Sequence, residues 1–113
     1  MIVVTLTTIP TRLVNEYHGD QGMISSIKSL INQTYSDYKI YLNIPKVFKL
    51  TGEEYIIPEW LLNLANTEDK LELYTGLEDL GPSTKLIPTI RRITNPEDLI
   101  IVVDDDVVYH PEM

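Results

Sequence analysis

The sequence predicts an α/β fold, a mainly parallel sheet flanked by helices, and three observations predict it. The β-branched runs "IVVTLTT" and "LIIVV" are too continuously apolar for a sheet with one wet face. Between them, Met23, Ile24, Ile27, Leu30 and Ile31 recur at helical spacing and form one apolar stripe. Candidate strands also alternate with candidate helices, which calls for parallel pairing through crossovers.

Each element follows in order. Residues 2–8 read as a buried strand ended by Ile9-Pro10. The stretch "PTRLVNEYHGDQG" is rich in Pro, Gly, Asn and Asp and reads as a long loop. The apolar stripe places a helix over about residues 22–33, and "YKIYLNI" is a second strand closed by Pro45. In "IIPEWLLNLANTED" a short helix is expected with Pro58 in its first turn and Trp60, Leu61 and Leu64 inward. "KLELYTG" is a third strand. "GPSTKLIPTIRRI" reads as a helix start capped by Ser83 or Thr84 and kinked or delayed by Pro88. "NPED" is a turn and "LIIVV" the fourth strand.

At 113 residues the chain has room for one domain with a real core. A formal charge of −8 opposes an electrostatic grip on nucleic acid or an anionic membrane, both of which need clustered Lys and Arg. No cysteine is present, so disulfides and thiolate metal sites are excluded. The opening "MIVVTLTTIPTRL" lacks a basic leader region and is too short to span a bilayer. These features lead to the expectation of a soluble, cytoplasmic protein without a transmembrane segment.

In a covered parallel sheet, ligands bind beyond the carboxyl ends of the strands. Two segments fall there: the loop at residues 7–12, and the run Asp104, Asp105, Asp106 that follows the fourth strand without a break. The element order is that of a nucleotide-binding half-domain, although no G-x-G-x-x-G follows the first strand. Because side chains alternate along an extended chain, Asp104 and Asp106 share a side, roughly 7 Å apart, and Asp105 faces the other way. Such a pair can hold a hard divalent ion, Mg2+ or Mn2+, whose coordination substrate phosphates often complete. A solvated acidic turn is the plain alternative.

Taken together, four segments resemble nucleotide-sugar glycosyltransferases of the A-type fold, in particular small bacterial and large-virus members. "LIIVVDDDVVYHPEM" is similar to their D-x-D region, and "VVTLTTIPTRL" to their first strand and nucleotide loop. "SIKSLINQTYSDYKIYLNIP" resembles the first helix, Q-T-Y turn and second strand, and "DLGPSTKLIPTI" the G-P-x-T-K-L element. The four pieces stand in family order. Many relatives carry an acidic "DDGS" after the second strand, where this chain has "LNIPK". Acceptor-binding and base residues of the family follow the D-x-D region, so residues 1–113 resemble the donor-binding half, without the C-terminal acceptor half.

The resemblance implies a metal-dependent transferase that moves a sugar from a nucleoside-diphosphate sugar, uridine first, to a glycan or protein hydroxyl. It would act in the cytoplasm, in a host's if the chain is viral. By resemblance Asp106 binds the metal directly, Asp104 meets the metal or the donor ribose, and Asp105 joins the donor-binding residues. Lys85, at the expected helix start, would contact the donor's ribose or phosphates. Asp79 would accept from a base or ribose hydroxyl, or else form a turn. Thr7 and Thr8 would frame base and ribose with Arg12 facing a phosphate, or would serve β-propensity and solubility. No catalytic base is assigned. Arg91 and Arg92 read as an exposed helix end, His18 and His110 as loop or turn residues, and Trp60 as core. Two other classes stay open: a non-catalytic nucleotide-sugar or metal-binding module, and a magnesium-dependent receiver-like domain. A receiver-like chain would place acids after its first strand, where this one has Thr7, Thr8 and Pro10.

Overall fold

The structure is a computed structural model that describes residues 1–10, 13, 23–105, 107 and 109–112. Strand β1 (Ile2–Thr7) leads to helix α1 (Met23–Ile31), β2 (Tyr38–Pro45), α2 (Glu59–Thr67) and β3 (Leu71–Leu77). A 3-10 turn (Gly81–Lys85), α3 (Ile87–Arg92) and β4 (Leu99–Val102) complete the order. The four strands form one sheet in the order β3-β2-β1-β4, every pair parallel. This is an α/β architecture compatible with a Rossmann-like fold.

The pairing register assigns the two faces. Val4, Leu6, Ile40, Leu42 and Leu71 share a face, because Val4 pairs with Ile40, Leu6 with Leu42, and Ile40 with Leu71. Helix α1 lays Met23, Ile27 and Leu30 on that face, α2 adds Leu61, and Leu13 joins the same cluster. Tyr38 ties the layers together: its hydroxyl donates to the Leu30 carbonyl and, at 2.9 Å, to that of Ile31, satisfying orphan carbonyls at the end of α1.

The opposite face is polar. Thr5 and Asn43, both fully buried, meet Thr89 of α3. The Thr5 hydroxyl lies 2.7 Å from that of Thr89, and the Asn43 amide donates to Thr89 Oγ1 (3.0 Å) and to the Thr84 carbonyl (3.1 Å). Arg92 closes the network, donating to Asn43 Oδ1 at 3.0 Å while its guanidinium stacks 3.4 Å from the Tyr74 ring centroid. Burial lowers the Arg92 pKa. The expectation of an exposed arginine pair at this helix end therefore holds for Arg91 and fails for Arg92, because the Tyr74 face and Asn43 together draw its side chain in.

Three further expectations are corrected. Neither Ser83 nor Thr84 caps α3: its N-cap is Leu86, with no side-chain bond, and Pro88 sits in its first turn. A proline without an N–H can enter a helix only there, so the chain spends residues 81–85 in a 3-10 turn first. Lys85 consequently ends that turn instead of starting a helix, and the helix-dipole argument for it does not apply. The loop expected after β1 is helical at its described residues Pro10 and Leu13, where the Leu13 N–H donates to the Ile9 carbonyl at 3.3 Å. Finally, β4 is not a covered strand. Among the described residues it pairs only with β1, and Leu99 (63 %), Ile101 (39 %) and Val102 (41 %) are exposed. A continuous apolar run predicts burial only when neighbours stand on both sides, and β4 lies at the sheet edge.

Candidate functional site

The strand order fixes where a ligand fits. From β1 the chain steps outward through β2 to β3, then crosses back to place β4 on the other side of β1. The reversal opens a crevice beyond the carboxyl ends of β1 and β4, the switch point at which α/β sheets bind ligands. Thr7 and Thr8 end β1 there, and Asp104 and Asp105 follow β4.

The end of β4 is held from several directions. The Val103 N–H donates to the Thr5 carbonyl at 3.0 Å. The Asp104 N–H donates to the Tyr109 hydroxyl at 2.9 Å, and the Asp104 carbonyl accepts from Ser26 of α1 at 3.2 Å. The side chains then diverge as an extended chain requires. Asp105 turns inward, 3 % exposed, and accepts the Thr8 hydroxyl at 2.6 Å. Asp104 turns outward, its side chain 61 % exposed, with Lys85 Nζ 3.4 Å from its Oδ1. Lys85 and Asp104 are thus brought together, as an exposed ion pair that is weak by itself.

Beside the crevice, residues 46–55 form a small hairpin that the sequence reading did not identify. Val47 and Glu54 make an antiparallel bridge, the Phe48 N–H donates to the Glu53 carbonyl (2.8 Å), and Tyr55 N–H donates to that of Lys46 (3.0 Å). Gly52 makes the turn with φ 76°, a conformation in which a side chain would be strained. Phe48 and Tyr55 meet edge to face, centroids 6.2 Å apart.

Phe48, Tyr55, Thr7, Thr8, Asp79 and Pro82 line a pocket of about 200 Å³ under this hairpin. A wider, shallower hollow of about 820 Å³ adjoins it across Asp79 and Pro82, reaching Leu50 and Ile87. Tyr55 donates its hydroxyl to the Thr8 carbonyl at 3.1 Å. Burial, and after it the charges of Asp79 and Asp105, push the Tyr55 phenol up to about 12, so it stays protonated at neutral pH.

Asp79 lines both hollows but is engaged by its own chain. Its carboxylate accepts from Gly81 N–H (2.8 Å), Lys49 N–H (3.0 Å) and, at 3.4 Å, the Thr84 hydroxyl. It therefore pins the hairpin to the 3-10 turn, the turn-forming alternative expected for it. Thr7 donates its hydroxyl to the Asn43 carbonyl at 2.6 Å, tying β1 to β2 at the pocket floor. Arg12, His18 and Asp106 lie outside the described residues. His110 is a turn residue, its Nδ1 accepting from Glu112 N–H at 3.0 Å. Trp60 packs its ring against the core, as expected, with its indole nitrogen buried.

The described residues include no group of three His, Cys, Asp or Glu side chains placed to hold a metal. What suits a hard cation is the outward Asp104 carboxylate, an oxygen donor beside which the Lys85 ammonium already stands. Among the described residues no helix is long and apolar enough to cross a membrane. No family model matches the chain, and no curated protein matches it significantly.

Proposed function

We propose that this chain is the donor-binding unit of a metal-dependent glycosyltransferase, which takes a nucleoside-diphosphate sugar and passes the sugar to a hydroxyl of a glycan or protein. The observation that carries the proposal is an aromatic-walled pocket at the end of β1 whose lining residues Thr8 and Thr84 adjoin, through the Thr8–Asp105 bond and the chain itself, the outward Asp104 and Lys85. A pocket of about 200 Å³ lies below the roughly 300–1,000 Å³ of sites that enclose a whole small ligand. It suits one flat ring. A uracil seated against Phe48 and Tyr55 would leave ribose and diphosphate to run outward over Thr8 toward Lys85 and Asp104.

Asp104 and Asp106 would hold Mn2+ or Mg2+, which when bound supplies Lewis-acid neutralisation of the departing diphosphate. The chain's own contribution is positioning. Thr7 and Thr8 shape the pocket wall, their hydroxyls donated to the Asn43 carbonyl and to Asp105, and Lys85 would carry a positive charge to the phosphates. Before a donor arrives, Lys85 and Asp104 neutralise one another. An anionic donor would draw Lys85 to itself and release Asp104 to a cation, so that an acidic chain of formal charge −8 can accept an anion. The absence of cysteine suits the reducing cytoplasm, where we place the protein.

Saturation-transfer NMR with a uridine-diphosphate sugar tests the proposal. With Mg2+ present, transfer should reach the uracil and ribose protons, and Asp104→Asn and Asp106→Asn should each diminish it while the protein remains folded. Undiminished transfer in both variants would refute the metal assignment. No transfer in the parent would refute donor binding.

A further inference from the structure

We propose that Asp105 is a positioning residue: it contacts neither metal nor donor, and through Thr8 it fixes the end of β4 so that Asp104 projects outward beside Lys85. The proposal rests on the donor-site reading above. A carboxylate that is 3 % exposed is costly to bury unless hydrogen bonds compensate it. The Thr8 hydroxyl supplies one at 2.6 Å, the short geometry of a charge-assisted O–H···O⁻ bond. Thr8 is itself fixed, because its carbonyl accepts the Tyr55 hydroxyl at 3.1 Å.

A chain of contacts therefore runs from the hairpin through Tyr55 and Thr8 to Asp105. The Ser26 and Tyr109 bonds to the Asp104 backbone clamp the same strand end from α1 and from the chain that follows it. Along this stretch Val103 and Asp105 are buried and Asp104 between them is exposed, so anchoring Asp105 inward favours the outward Asp104. If Asp105 were instead a ligand, its carboxylate would have to leave Thr8 and turn out of its buried position.

The test compares Thr8→Val, Thr8→Ser and Asp105→Asn with the parent, by amide exchange of the segment 103–109 without metal and by Mn2+ titration followed by electron paramagnetic resonance. Protection of the Val103, Asp104 and Tyr109 amides is expected to be lost in Thr8→Val and Asp105→Asn and kept in Thr8→Ser. Mn2+ affinity should fall about 10–100-fold in the first two, as it does when a partner that orients a ligand is removed, and return in Thr8→Ser. If Asp105→Asn does not fold, the Thr8→Val and Thr8→Ser pair carries both readouts. Unchanged exchange in Thr8→Val would overturn the proposal. So would loss of Mn2+ in Asp105→Asn with parental affinity in Thr8→Val, which marks a direct ligand. A parent that binds no Mn2+ would refute the donor-site reading, and the exchange results would then decide by themselves whether Asp105 holds the strand end.

Discussion

Two adjacent aspartates, 104 and 105, have opposite environments: Asp105 is buried on Thr8, and Asp104 is exposed beside Lys85. Their divergence was legible in the sequence from strand alternation alone. What was not legible was the partner of the buried one, since Thr8 and Asp105 are 97 positions apart and meet only after β1 and β4 pair. Tyr55 and Phe48 went unrecognised for a similar reason. In "KVFKLTGEEY" nothing but the Thr-Gly pair marks a hairpin, and its aromatic side chains gain a role only where the fold brings them over the end of β1. Lys85 yields a prediction at this scale. Lys85→Met frees Asp104 from a competing cation, so Mn2+ alone should bind roughly two- to fivefold tighter, the reach of an exposed ion pair, while donor affinity falls. Titration of both ligands on one sample checks the opposite signs. Tyr55 yields another. Its folded pKa is raised, so the stability it contributes is complete below about 10, the ordinary value of an unfolded tyrosine, and is lost as pH rises toward about 12. Tyr74 is raised to about 12 as well and contributes in the same window. Urea unfolding from pH 9 to 11.5 should therefore show a decline that Tyr55→Phe lessens without removing.

Among the elements, those with strong periodicity were the readable ones. Strands β1, β2 and β3 and helices α1 and α2 stand where the apolar patterns place them, with ends shifted by a residue or a few. Helix α3 and its delay by Pro88 were readable too, but its cap and the 3-10 turn before it were not, because "GPSTK" owes its shape to polar residues whose partners lie elsewhere in the fold. Asn43 is central to that arrangement. It is fully buried, and its amide serves Thr84, Thr89 and Arg92. Asn43→Ala should cost about 2–4 kcal/mol, as expected when several buried groups lose their hydrogen-bond partners together, and thermal or urea unfolding measures it. Strand β4 gives the reverse expectation. Leu99 is 63 % exposed on the edge strand, so Leu99→Lys should change stability by no more than about 0.5 kcal/mol. A loss of several kcal/mol would restore the covered strand that its apolar sequence suggests.

At the scale of the whole molecule, the sheet order brings Thr7, Thr8, Asp104 and Asp105 to one edge of the sheet. Parallel pairing sends the carboxyl ends of all four strands to the same edge, and the reversal at β1 parts the helices there. The fold class could be read from the alternation of elements. The proposed function rests on what lies at that edge: a ring-sized pocket, and beside it Lys85 paired with an outward Asp104. The most direct test of this account is calorimetry of a uridine-diphosphate sugar with the 113-residue chain, in Mn2+ and again after chelation. The account predicts saturable one-site binding in Mn2+ that the chelator abolishes. Binding of equal strength in the chelator, or none in either condition, would contradict it.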